Sequence, residues 1–224
     1  MRIELDSILN WTANETGKSS TGTPRSGKES SRGLSTRDLV YIAVLAAIWT
    51  GSENILGAQL HAMNIPFNGI PLAAIAVFLM VTGRSLVPRA GSTILMGIVV
   101  ALLKVLSIGG IVLSPMIAIF MEALLVELTM TVGGTNQLAS SVGGMLAEMW
   151  SFVHPFVIQP LLFGGQILVI YEKTILAGSK LLGVDPANVI LIILVILVLH
   201  GVVGVIAGVA GWRFSSRAKR ILSR

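Results

Sequence analysis

The chain has 224 residues, of which 54% are hydrophobic and only 12% charged, with a net charge of +5. Soluble domains carry about 25% charged residues, so this composition and a mean hydropathy of +0.84 exclude an ordinary soluble globule. The basic residues gather mostly in the two tails with no aromatic-interleaved stripe, which excludes a nucleic-acid groove, and the absence of cysteine excludes disulfides, thiolate metal sites and cysteine nucleophiles.

Residues 1–34 are rich in Ser, Thr, Gly, Lys and Arg (GKSSTGTPRSGKESSRG) and too poor in apolar side chains to order themselves, so a disordered basic N-terminal tail is expected. No apolar h-region marks a signal peptide. The opening MRIELDSILNW has the makings of one weak surface helix, anchored by Ile3, Leu5, Ile8, Leu9 and Trp11. At residue 35 the character changes. The stretch STRDLVYIAVLAAIWTGSENILG starts a helix at Ser35 or Thr36, carries Ala43 and Ala47 on one face and places Glu53 near its far end.

Apolar runs of about 20 residues, the length that crosses a bilayer, recur to residue 212. Spans are expected near 38–57, 68–86, 89–107, 111–131, 137–158 and 189–211. The expected fold is thus an all-α integral membrane protein, with six transmembrane helices in one bundle over residues 35–217 and a basic tail over 218–224. Its lasting partner is the lipid bilayer. SLVPRAG and TVGGTNQ read as short turns, and GAQLHAMNIPFN as a longer, amphipathic first loop. Arg32 and Arg37, then Arg84 and Arg89, then Arg213, Arg217, Lys219, Arg220 and Arg224 all fall on one side of six spans, which places both termini in the cytoplasm of a multi-pass cell-membrane protein. Residues 159–188 are open to three readings: the end of span five, a re-entrant piece or an extra span. A seventh span would put the basic C-terminus outside, so YEKTILAGSKLLG is read as an outer helix along the surface, with Lys173 and Lys180 outside.

Ionisable groups inside spans cost about 2.5–3.5 kcal/mol each on insertion scales, so they face protein or a wet cavity. Here they are Glu53, Lys104, Glu122, Glu127, Glu148, His154 and His200. Lys104 is expected to pair with Glu53 or Glu122, and Glu127 to reach water at the cytoplasmic end. In span five, Gln137, Ser141, Gly144, Glu148, Ser151, Pro155 and Gln159 recur at spacings of three and four, along one helix face that His154 borders. Such a stripe looks onto a ligand cavity or a partner helix. His200 with Gly204, Gly208 and Gly211 permits close helix approach, and His200 reads as a packing residue. There is no HExxH, no His-Asp-Ser order and no GK[ST] loop. No catalytic residue, metal site or cofactor is therefore assigned, and nucleotide hydrolysis by this chain is not expected.

The opening TRDLVYIAVLAAIWTGSE with its AxxxA at Ala43 and Ala47, the size, the six-span reading, the longer first loop and the ending LHGVVGVIAGVAGWRFSSR together resemble the substrate-binding S-components of energy-coupling factor (ECF) transporters. The resemblance covers about residues 35–217. It implies a membrane receptor that captures a vitamin, a vitamin precursor or a metal ion at the outer face, then docks on a transmembrane T-component driven by two cytoplasmic ATPases. By position, Ala43 and Ala47 inherit the docking role, and His61, Asn64 and Phe67 fall in the lid-forming first loop. The outer pocket points to Glu122, Glu148, Ser151, His154 and Gln159. Cobalt- and nickel-specific members use a histidine close to the N-terminus, whereas the first histidine here is His61, which disfavours a transition-metal substrate. The carboxylates suit a cationic or amine-bearing organic molecule. A standalone ion-coupled transporter, a non-transporting scaffold and an intramembrane enzyme are the alternatives; the first often shows internal repeats, and none is visible.

Overall fold

The computed structural model describes residues 33–63, 65–105, 113–164 and 167–222. The expected N-terminal tail up to residue 32, its surface helix, and Asn64 lie outside the described residues. Those described are all-helical, without strands: α1 (Thr36–Ala62), α2 (Gly69–Leu86), α3 (Ser92–Lys104), α4 (Leu113–Val132), α5 (Gln137–Phe163), α6 (Ile167–Leu182) and α7 (Val189–Leu222). Helices α1, α2, α4 and α7 are each long and apolar enough to cross a membrane. Many large apolar side chains point outward, among them Val132 at 89% exposure and Ile190 at 83%. Soluble monomers rarely expose apolar surface so extensively; lipid is its natural solvent.

Local chemistry sets several helix ends. Asn136 caps α5 in extended backbone, its side-chain oxygen accepting the Ala139 N–H at 2.9 Å. Gly91, at φ +88°, turns the chain into α3, a conformation that L side chains resist. Three expected boundaries shift. α3 has 13 residues, about 20 Å at 1.5 Å per residue, shorter than the expected span over 89–107. α7 continues through Leu222, so the segment expected as a tail from residue 218 prolongs a helix. α6 is described from Ile167, four residues before the expected outer helix, through Leu182.

The helices pack as a ring. α1 rests on α2 and α3, α3 on α4, α4 on α5, α5 on α7, and α7 returns to α2. α2 also touches α3, α4 and α5, and accordingly buries Ala76, Val77, Met80 and Val81 completely. α6 lies against α7 and α5, with Ile175 packed on Ile192 and Ile196. Cross-helix contacts fix the directions. Asp38 with Arg89 and Arg84 with Glu127 mark one end, shared by the basic last turns of α7. The α1–α2 loop and α6 mark the other.

Close approach is possible because the meeting faces carry glycine. Gly144 of α5 and Gly204 of α7 lie so close that a Cβ on either would collide with the carbonyl of the other, and a Cβ on Gly208 would strike the Ser140 carbonyl. One turn on, a Cβ on Gly211 would sit 2.6 Å from the Phe78 carbonyl of α2. The stripe of α7 thus serves two neighbours, as small-residue faces do where backbones meet. On α5, Ser140, Ser141, Gly144 and Glu148 form the packing face against it.

Candidate binding site

At the basic end, Glu127 is buried and fully engaged. Its carboxylate accepts the N–H groups of Gly91 at 2.8 Å and Thr93 at 2.9 Å and the Thr131 hydroxyl at 2.9 Å, with Arg84 Nε at 3.1 Å. A carboxylate from α4 thereby satisfies orphan donors at the start of α3 and opposes its dipole. Contrary to the expectation from sequence, Glu127 does not reach water; α4 turns it onto the α3 terminus, and its role is structural.

Toward the opposite end, Lys104 settles on α1 rather than α4: its Nζ lies 3.3 Å from Glu53 and 3.4 Å from the Asn54 side-chain oxygen. His154 faces α4, where Nε2 approaches the Ser114 carbonyl at 2.9 Å and its hydroxyl at 3.3 Å, while the ring meets Trp150 edge-on. The carbonyl can only accept, so Nε2 carries the proton in this pair. Between these ends lie two further carboxylates. Glu122 is buried within electrostatic reach of Glu53 and Glu148. Glu148 is wholly buried, and neither of its oxygens has a hydrogen-bond partner among the described residues. Buried polar groups are nearly always paired, and exceptions call for an explanation.

A pocket of about 200 Å³ opens where α2, α5, α6 and α7 converge, at the end away from the basic terminus of α7. Its wall includes Phe67, Asn68, Ser151, Phe152, Thr174 and His200. Local backbone chemistry prepares it. Pro155, also on the wall, lacks the N–H that would bond the Ser151 carbonyl, leaving that acceptor without its usual helical donor. Phe67 holds φ +55°, a left-handed conformation uncommon for an aromatic residue. His200 Nδ1 lies 2.9 Å from the Ile196 carbonyl, so it carries the proton and Nε2 of the neutral ring is an acceptor. The His200 ring sits 5.2 Å from Phe152.

Of the residues singled out from sequence, the structure brings Ser151 and Phe67 to this pocket. Glu148 lies one turn below Ser151 on the same helix. Glu122 is deeper in the bundle, His154 is turned to α4, and half-buried Gln159 is not on the pocket wall. The His61 side chain, like Asn64, falls outside what is described. Sequence reasoning missed Asn68 and Thr174 and read His200 as packing. For His200 the available signal was a histidine four residues before Gly204, which needed the positions of α2 and α5 to become informative.

The described residues form an all-helical bundle, four of whose helices are long and apolar enough to cross a membrane, with a polar and aromatic pocket at one end. Comparison with protein-family models, curated proteins and solved structures finds no match to this chain.

Proposed function

We propose that this chain is the substrate-binding membrane subunit of an ECF-type importer. It captures a vitamin- or vitamin-precursor-like small molecule at the outer face and docks on a transmembrane T-component powered by two cytoplasmic ATPases. The observation that carries the reading is the pocket at the end away from the basic C-terminal turns, where hydrogen-bonding groups meet three phenylalanine rings. Binding sites characteristically combine an apolar wall with a few placed polar groups. At about 200 Å³ the pocket falls below the roughly 300–1,000 Å³ of drug-sized sites, which favours a compact, single-ring substrate. In this reading α1–α5 and α7 are the six spans, both termini are cytoplasmic, and α6 lies along the outer surface. The Ala43 and Ala47 face of α1 supports docking, because it is exposed while Ile42, Ala46 and Trp49 turn inward.

The test is direct. The full chain is purified alone in detergent and denatured, and the extract is searched by mass spectrometry. A stoichiometric organic molecule is expected. An extract that stays empty after expression in rich medium, together with no ATP-dependent uptake beside the partner subunits, would overturn the proposal.

A further inference from the structure

The pocket and the unpartnered carboxylate beneath it share one seam. Ser151 and His200 line the pocket; Glu148 lies three residues before Ser151 on α5, and Gly204 four residues after His200 on α7. These two lower residues touch: a Cβ on Gly204 would stand 2.7 Å from the Glu148 Cβ. On the third side, Ile70 of α2 lines the pocket, and Val77, two turns further on, meets Gly144 one turn below Glu148. The Glu148 backbone therefore lies about one turn, some 5 Å of helix rise, below Ser151 of the pocket wall, along the junction of α2, α5 and α7.

Among the described residues, no lysine or arginine is on the pocket wall. His200 Nε2, the Ser151 carbonyl and the Asn68, Ser151 and Thr174 oxygens offer acceptors, and the faces of Phe67, Phe152 and Phe156 attract cations through their π systems. The interior cation Lys104 is held by Glu53 and Asn54 on α1. Glu122 adds a second carboxylate within reach of Glu148. We infer that the pocket and Glu148 form one binding site for a small, single-ring molecule bearing a protonated amine, its ring held among the phenylalanines and its ammonium directed down the seam to Glu148. The inference rests on the proposed binding function and names the substrate class for it.

The probes are benzylamine, a ring with a protonated amine at neutral pH, and benzyl alcohol, its uncharged counterpart. Each is titrated calorimetrically into the full-length protein, with protein-free micelles subtracted. Benzylamine is expected to bind more than tenfold tighter than the alcohol. Glu148→Gln, which keeps the shape and removes the charge, is expected to abolish that preference, and Ser151→Leu, which crowds the pocket wall, to weaken both probes. Thermal melts verify that each variant is folded, and the wild-type preference and Ser151→Leu stand as tests even if Glu148→Gln does not fold. Equal binding of the two probes would overturn the amine inference yet leave a ligand pocket and the functional reading in place. A preference that survives Glu148→Gln would overturn the role of Glu148. Failure of both probes at millimolar concentration would overturn the site itself.

Discussion

Glu127 shows how one side chain can hold three elements. It ties the end of α2 through Arg84, the start of α3 through two backbone N–H groups, and its own helix through Thr131. Removing one partner of a buried ion pair typically costs about 3–5 kcal/mol, because the other charge is left buried without compensation. Glu127→Ala is accordingly expected to lower thermal stability in detergent by about that amount, with Arg84→Met in the same chain recovering part of the loss. No recovery would mean that the α3 cap, not the ion pair, dominates. The Lys104–Glu53 pair is more exposed, at 15% and 17% of the side chains, so solvent screens it more. Exchanging the charges (Glu53→Lys with Lys104→Glu) is expected to restore most of the stability that either single change removes, as read from melting temperatures.

At the scale of elements, the α5–α7 crossing depends on having no side chain at Gly144, Gly204 and Gly208. A methyl at Gly204 would meet backbone, which cannot move aside as a flexible side chain does. Overpacking typically costs about 1–3 kcal/mol, so Gly204→Ala is expected to destabilise by at least that much and to broaden the size-exclusion peak. Gly51, whose added Cβ would meet nothing within 4 Å, is the control: Gly51→Ala is expected to be neutral or slightly stabilising. α1 presents the opposite case, an outward face that nothing in the described chain covers. On the proposed function, Ala43→Trp with Ala47→Trp abolishes co-purification of the T-component and uptake while ligand release from the denatured protein persists. Loss of both together would remove the docking role from that face.

For the whole molecule, the decisive property is which ends share a side of the membrane. The natural absence of cysteine makes single-cysteine labelling free of background. With a membrane-impermeant maleimide on intact cells, Ala187→Cys, in the turn between α6 and α7, is expected to react from outside. Arg37→Cys and Lys219→Cys are expected to react only after permeabilisation. Labelling of Arg37→Cys and Lys219→Cys from opposite sides would refute the even number of spans.

Much of this architecture was legible because its causes are local. Apolar run length set the positions of α1, α2, α4 and α7, and TVGGTNQ announced the turn that Asn136 closes by capping α5. The stripe on α5 was also readable as a stripe, since helical periodicity belongs to one segment. Its division was not. Ser140, Ser141, Gly144 and Glu148 meet α7, Ser151 and Pro155 open to the pocket, and His154, about 60° around the helix from Ser151, goes to α4 instead. Likewise Lys104 had two carboxylates within plausible reach, and Glu127 had water or protein. Those choices depend on which helices become neighbours and how each is rotated about its axis, set in part by close glycine contacts such as Gly144 with Gly204 between α5 and α7 and Gly97 with Ala123 between α3 and α4. Sequence by itself therefore determined a helical membrane chain and the positions of most of its helices. Only the tertiary structure decided which polar groups pair, which pack, and that Glu148 is left unpartnered beneath a pocket.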